Sequence, residues 1–252
     1  DLDEAMESYG AGFDLFSHYG GDKASSPMDG LKGKIMSKLT ALRMLCDHPD
    51  LIRVSSSTSG YAEQLQTAGR LDKVTKSPKL SALKDYVSSF LDAYSENKVV
   101  IFTSYVHMVD IIREALPYES SPYTGAMNAK EKEESKTKFQ TNKEVRILVS
   151  SDAGRYGVDL PQANLLINYD LPWNAGLALQ RNGRIRRASS TWPSIVIQDF
   201  LMDGSIEERQ HELLVQKMAI ANAVIDGEGI NQEGGVNLTV GSLRAFLDAV
   251  SV

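Results

Sequence analysis

Four short runs of apolar residues alternate along the chain with stretches in which apolar residues recur every three or four positions. The runs occupy residues 99–102, 146–151, 165–169 and 194–201. Such runs are typical of strands that are buried on both faces of a parallel sheet. Because helical patterns separate them, the sequence predicts an α/β fold, an open parallel sheet with helices on both faces.

Two helix starts can be recognised from local signals. Ser77 precedes Pro78, an N-cap followed by proline at the first helical position. Apolar residues then recur at helical spacing, at Leu80, Leu83, Val87, Phe90, Leu91 and Tyr94. Further along, Ser205 and Glu208 match a capping box, and the helix that they begin is expected to extend to Gly227.

The pattern divides the chain into one core and two additions. Residues 1–76 are expected to form a helical arm or lobe-connecting segment, with a flexible loop at 55–60. Residues 77–227 are predicted to form the core lobe with its bracing helix. Residues 228–252 are expected to provide a linker and a final short helix.

Composition restricts the class of protein. A chain of 252 residues with 42% hydrophobic residues can bury the core of a single domain. No apolar run approaches the ~18 residues that span a membrane, so a soluble intracellular protein of the cytoplasm or nucleus is expected, without a membrane partner. Cys46 is the one cysteine, which fits a reducing compartment, and no second Cys/His cluster predicts a metal site.

The net charge of −6 argues against a protein that coats nucleic acid through bulk electrostatics. Any nucleic-acid contact must come from a local patch. Positive charge is concentrated at residues 32–43 and 181–187. The first of these stretches is also consistent with the solvent-exposed face of a helix.

The second basic stretch contains four arginines within seven residues, Arg181, Arg184, Arg186 and Arg187. Arginine binds phosphate through two parallel hydrogen bonds and stays charged, which suits the stabilisation of a phosphoryl group in transfer. On the predicted helix, Arg184 and Arg187 would share a face. A solvated basic helix, or a grip on a phosphate backbone without catalysis, is the alternative.

Six segments resemble, in order and spacing, the second RecA-like lobe of superfamily-two motors. They are LTALRMLCDHPDLI, KVVIFTSY, YTGAMNAKEKEESKTKF, SSDAGRYGVDL, NYDLPWN and QRNGRIRR. CDHPDLI, DLPWN and residues 204–227 resemble the Swi/Snf branch of double-stranded DNA translocases. Two positions depart from that pattern: Asp152 stands where remodellers often have a basic residue, and residues 188–190 replace an Ile-Gly-Gln-like tail.

The resemblance implies a set of residues that face ATP. Arg184 and Arg187 would be catalytic arginine fingers that reach the γ-phosphate, with Arg187 the better candidate for stabilising the transition state. Gly157 and Asp159 would lie near the ATP ribose and the interface between lobes. Gln180 would help to sense the bound nucleotide.

The resemblance also implies a set of residues that face DNA. Ser150 and Ser151 would bond a DNA phosphate, Trp173 would lie against the tracked strand, and Asn174 would support the turn or touch a phosphate. The remaining backbone contacts would come from Thr103, Ser104, Thr124 and Gly125. The alternatives are core packing for Trp173 and ordinary helix caps for the Thr and Ser residues.

Two elements of a complete motor are absent from the sequence. There is no Gly-x-x-x-x-Gly-Lys-Ser/Thr loop, and no Asp-Glu box that would hold magnesium follows a strand. ATP and Mg²⁺ are therefore expected to bind mainly to an N-terminal RecA-like ATPase lobe, in the same parent chain or a separate one. This chain alone is expected to be inactive. A strand-separating DNA or RNA helicase and a non-catalytic nucleic-acid-binding module remain as alternatives.

Overall fold

The computed structural model describes residues 27–54, 61–69, 71–152, 158–190 and 192–225, with the backbone alone at 27–34 and 218–225. The predicted loop at 55–60 and the predicted linker and short helix at 228–252 lie outside the described residues.

Eight helices and five strands occur in the described part of the chain. In chain order they are α1 (Pro27–Asp47), α2 (Pro49–Arg53), α3 (Tyr61–Thr67), α4 (Pro78–Ala93), β1 (Val99–Phe102), α5 (Val106–Ala115), β2 (Ser120–Tyr123), α6 (Ala129–Thr141), β3 (Ile147–Ser150), β4 (Leu165–Asn168), α7 (Ala175–Asn182), β5 (Val196–Asp199) and α8 (Ile206–Ile225). None of these helices is long and apolar enough to cross a membrane.

The five strands form one parallel sheet in the order β2-β3-β1-β4-β5. Val99 of β1 pairs with Ile147 of β3 on one side and with Leu165 of β4 on the other. All residues of these three central strands are buried. Their continuous apolar sequence therefore reflects cover on both faces, and the predicted α/β fold is confirmed.

Alternate strand residues enter two separate cores. On one face, Val99 and Ile101 pack with side chains of α4 and α5, such as Leu83 and Met108. On the other face, neighbouring strand positions pack against Phe139 of α6. The side-chain period of two along each strand produces this division, so helices lie on both faces as predicted.

Strand β2 was missed by the sequence pattern because its residues, SSPY, form no apolar run. Pro122 occupies a ladder position opposite Val149 although it has no N–H to donate. This is tolerated because β2 is at the edge of the sheet, where one side of the strand has no partner. The four predicted strands are all present, and three of them are shorter than predicted.

The helix starts are partly as predicted. Ser77 caps α4, with its Oγ accepting from Leu80 N at 3.1 Å. At α8 the expected capping box is displaced by one residue: Ser205 Oγ accepts from Glu207 N, and Glu208 Oε2 accepts from Gly204 N. The side chain of Glu207 accepts from Met202 N through Oε2 and from a buried lysine of α4 through Oε1.

That lysine, Lys79, connects α4 to α1 and to α8. Its Nζ lies 2.8 Å from Asp47 Oδ1 at the end of α1 and 2.5 Å from Glu207 Oε1 at the start of α8. Burial alone would lower the pKa of Lys79, but the two carboxylates outweigh burial and raise it. The lysine is therefore charged, and it attaches both flanking helices to the lobe.

Candidate nucleotide and nucleic-acid site

Several of the predicted site residues lie on loops at the carboxyl ends of β1, β3 and β4, which are adjacent in the sheet. The carboxyl edge of such a sheet is where ligands bind in open α/β folds. Thr103 and Ser104 follow β1, Ser151 follows β3, and Asp170 lies two residues beyond β4. The structure therefore brings three of the motif loops to one edge.

Asp170 is the centre of this edge. Its carboxylate is 0% exposed and accepts from Thr103 Oγ1 at 2.5 Å, from Ser104 N at 2.8 Å and from Ser104 Oγ. Two guanidinium groups face it, with Arg43 Nη2 at 3.6 Å and Arg181 Nη2 at 3.8 Å. The loop after β1, the loop after β4 and helices α1 and α7 all meet at this carboxylate.

The ionisation of Asp170 is set by opposing effects. Burial would raise the pKa of this carboxyl, but the charges of Arg181 and Arg43 and the hydrogen bonds from Ser104 and Thr103 outweigh burial. The pKa of Asp170 consequently lies below its ordinary value. The carboxylate is charged at neutral pH, although it is fully buried.

Arg181 has an internal role that the sequence did not predict. Its side chain is 0% exposed, Nη1 donates to Asp170 O at 2.7 Å, and Nη2 lies 2.8 Å from Asp152 Oδ1. Asp152, which departs from the usual basic residue at its position, is therefore an ion-pair partner of a buried arginine. The sequence signal that could have separated Arg181 from the other arginines is its position three residues after Ala178, which is buried on the same helix.

The predicted DNA contacts of the loop after β1 are occupied within the protein. Thr103 is fully buried, and the hydroxyls of Thr103 and Ser104 both bond Asp170. These side chains hold the loop in place. A phosphate contact from this loop stays a prediction.

The loops after β2 and β3 are bonded to each other. Ser150 Oγ donates to Tyr123 O at 3.1 Å, Ser151 N donates to the same carbonyl at 2.9 Å, and Gly125 N donates to Ser151 Oγ at 3.3 Å. Ser150, Ser151 and Thr124 are buried, whereas Gly125 is exposed. The structure therefore places these four predicted DNA-binding residues next to one another, in two loops that are hydrogen-bonded to each other.

Trp173 and Asn174 lie between β4 and α7. Asn174 is exposed and caps α7, with its Oδ1 accepting from Gly176 N at 2.7 Å, which agrees with a role in supporting the turn. Trp173 is half-buried, and the guanidinium carbon of Arg43 lies over its ring at 5.4 Å from the centroid. One face of the indole is thus covered by a cation.

The predicted helix under Arg184 and Arg187 is wrong. Helix α7 ends at Asn182, and Gly183 is its C-cap. The carbonyl of Arg184 accepts from Leu160 N at 3.0 Å, a tertiary bond that draws the chain away from the helix axis. Arg184 and Arg187 therefore do not share a helix face.

The two arginines nevertheless converge on one carboxylate. Arg184 Nη1 lies 3.7 Å and Arg187 Nη2 lies 2.5 Å from Asp159 Oδ1. The side chain of Asp159 is 60% exposed and that of Arg187 is 35% exposed. The structure thus brings together three of the residues predicted to face ATP, at a surface that a partner can reach.

Of the two other residues predicted to bind ATP, one is described. Gln180 is exposed on α7, and its carbonyl accepts from Arg184 Nε at 3.1 Å. Gly157 lies outside the described residues. Among the described side chains no group of three or more His, Cys, Asp and Glu residues could hold a metal ion.

Comparisons with known proteins place this geometry in a family. The Helicase conserved C-terminal domain matches residues 78–189. A DNA repair and recombination protein RAD54-like of Gallus gallus is 29% identical over 223 residues, which cover 82% of this chain and 30% of that protein. These matches support assignment of the chain as a second RecA-like lobe of the Swi/Snf-type ATPases in helicase superfamily two.

Solved structures of Swi/Snf-type lobes share the fold. The C-terminal part of the Fun30 ATPase domain superposes with a TM-score of 0.59 at 18% identity, covering 94% of this chain and 88% of that one. The Sulfolobus solfataricus SWI2/SNF2 ATPase core in complex with dsDNA gives a TM-score of 0.61 at 24% identity, covering 96% of this chain and 44% of that one. This Swi/Snf-type lobe spans less than a third of the length of the RAD54-like relative.

Proposed function

We propose that this chain is the C-terminal motor lobe of an ATP-dependent double-stranded DNA translocase or remodeller. In this function Arg184 and Arg187 complete the ATP site of a first RecA-like lobe. The observation that carries the proposal is the convergence of both guanidinium groups on the exposed carboxylate of Asp159.

The arginines supply charge where phosphoryl transfer needs it. A planar guanidinium donates two parallel hydrogen bonds to phosphate oxygens and cannot be deprotonated. Arg187, the more exposed of the two, stabilises the transition state, and Arg184 holds the neighbouring oxygens. ATP and Mg²⁺ would be held mainly by the first lobe, and the metal would supply neutralisation of the phosphate charge there.

Asp159 keeps the two guanidinium groups oriented while no phosphate is present. The pair of Arg187 with Asp159 is partly exposed, and such an ion pair contributes only about 0–1 kcal/mol, so the phosphoryl group in transfer can replace the carboxylate at little cost. The ion pairs with Asp159 are therefore compatible with a role for both arginines at the interface between lobes.

The edge loops provide the proposed DNA surface. Gly125 and Asn174 are exposed there, and Trp173, which precedes Asn174, is half-buried. Amides and short polar side chains contact the DNA backbone without reading bases, so binding independent of sequence is expected. Because the loops are hydrogen-bonded to each other and to Asp170, they would move as one unit when the lobes close on ATP.

The test uses a two-lobe protein in which this chain follows a competent first RecA-like lobe. We expect its ATPase activity to rise with duplex DNA and the protein to displace a triplex strand without unwinding a tailed duplex. The 252-residue chain alone should hydrolyse no ATP. Unwinding of the tailed duplex would instead support a strand-separating helicase. A lack of ATPase activity in the two-lobe protein would support a non-catalytic binding module.

A further inference from the structure

Arg43 connects the helical arm to the proposed DNA surface, although it lies outside the residues that match the helicase domain. Its guanidinium carbon is 5.4 Å from the ring centroid of Trp173 and 6.0 Å from that of Tyr105. The residue is 6% exposed. It is therefore too buried to serve as a phosphate ligand, and its charge is directed at aromatic rings.

The same guanidinium also holds the backbone that carries Trp173. Arg43 Nη2 donates to Leu171 O at 2.5 Å and lies 3.6 Å from Asp170 Oδ1. Gln210 of α8 donates to the same carbonyl at 2.7 Å. The turn between β4 and α7 is thus held from two sides, by the arm and by the bracing helix.

We propose that Arg43 is a positioning residue that fixes the indole of Trp173 in the orientation that meets DNA. The inference rests on the proposed function, because it assumes that Trp173 contacts the duplex. A planar, delocalised cation can lie flat on a ring while its edge bonds a carbonyl and a carboxylate, and a lysine ammonium cannot do both. The helical arm thereby determines the geometry of a DNA contact that lies 130 residues further along the chain.

The orientation of the ring can be followed by fluorescence. The chain has two tryptophans, and the second, Trp192, donates from Nε1 to Gln162 O, away from this site. Trp192→Phe therefore leaves Trp173 as a single reporter. In that background Arg43→Lys keeps the positive charge near Asp170 but removes the planar group, and Lys38→Gln removes one exposed charge from the same helix as a matched control.

We expect Arg43→Lys to increase acrylamide quenching of Trp173 in the 252-residue chain without DNA, while Lys38→Gln leaves quenching unchanged. In the two-lobe protein, Arg43→Lys should raise the duplex concentration that half-saturates the ATPase by about tenfold, the size expected for one desolvated cation–π contact. Far-UV circular dichroism checks that the variants are folded.

Unchanged quenching in Arg43→Lys would overturn the inference and leave the proposed function intact. Increased quenching of Trp173 without a change in the duplex concentration that half-saturates the ATPase would also overturn the inference, provided that Trp173→Ala weakens the stimulation of the ATPase by DNA. A failure of the proposed function is distinguishable, because the unmutated two-lobe protein would then show no stimulation by DNA. Arg43→Gln removes the charge and provides a further check. If Arg43 acted through its charge alone, Arg43→Gln would be defective and Arg43→Lys would not.

Discussion

Two aspartates of this lobe each face a pair of arginines, and their surroundings differ. Asp170 lies between Arg43 and Arg181 and is fully buried. Asp159 lies beside Arg184 and Arg187, and most of its side chain is exposed. The same arrangement, one carboxylate facing two guanidinium groups, thus occurs once in the buried carboxyl edge of the sheet and once at the surface.

The difference shows how burial assigns a role to a charged group. In the interior, removing one partner leaves an uncompensated charge, so the ion pairs of Asp170 are costly to break. The residues around Asp170 can therefore only hold other residues in position. At the surface, water screens the ion pair and it can open at little cost. This difference supports the proposal that Arg187, whose side chain is 35% exposed, can exchange the carboxylate for a phosphate.

The largest expected effect concerns the exposed pair. Arg187→Ala in the two-lobe protein should lower kcat for ATP hydrolysis by about 10³–10⁵-fold, the contribution of an arginine finger. The matched control is Arg186→Ala, which removes an exposed arginine next to it. A steady-state ATPase assay with saturating duplex checks the prediction. Equal activities of the two variants would contradict a catalytic role.

The second effect concerns the buried carboxylate. Asp170→Asn should lower the free energy of unfolding by about 3–5 kcal/mol, because Arg43 and Arg181 then lose their shared counter-charge. Urea unfolding of the 252-residue chain measures the change. A decrease in the free energy of unfolding as small as that expected for an exposed ion pair would show that Asp170 does not hold together the loops at the carboxyl edge of the sheet.

A third effect concerns the pH dependence of the stability that Asp170 provides. Since the pKa of Asp170 is lowered by folding, its carboxylate adds stability above its unfolded pKa of about 3.9, and the stability is lost as the pH falls through the folded value. The stability difference between the unmutated chain and Asp170→Asn should therefore shrink below about pH 4. Unfolding curves between pH 7 and pH 3 test this, and a difference that is constant with pH would contradict it.

The smallest effect is expected at the surface. Asp159→Asn should change the free energy of unfolding by less than about 1 kcal/mol, and the change should diminish in high salt. The same urea experiment at low and high ionic strength measures it. A loss comparable to that of Asp170→Asn would mean that Asp159 is a structural partner, and that its arginines are not available to a nucleotide.

The sequence predicted the fold better than the site. Apolar runs identified β1, β3 and β4, which are covered on both faces, and also β5, an edge strand that is exposed or half-buried along its length. The other edge strand, β2, is mostly buried, but its serines and proline carried no strand signal. The extent of the predicted helix at 181–187 was wrong because a bond between Leu160 and Arg184, which are distant in sequence, ends it.

The surroundings of the arginines were likewise not predictable from the sequence alone. Four arginines in a short stretch indicated phosphate binding, but their sequence does not reveal that Arg181 points inward while Arg187 is exposed. Arg43 was missed as a site residue because its partners lie about 130 residues away. Burial and long-range pairing, which only the folded chain shows, separated the structural arginines from those available for a nucleotide.

The central claim is that the arginines beside Asp159 meet the transferring phosphoryl group of a nucleotide held by another lobe. The most direct test compares the affinity of the two-lobe protein for ATP with its affinity for ADP plus aluminium fluoride, a mimic of the transition state. Arg187→Ala should weaken binding of the mimic by at least about 100-fold and leave ATP binding nearly unchanged, since the interaction is made in the transition state. Equal effects on the two ligands, or none, would contradict the account.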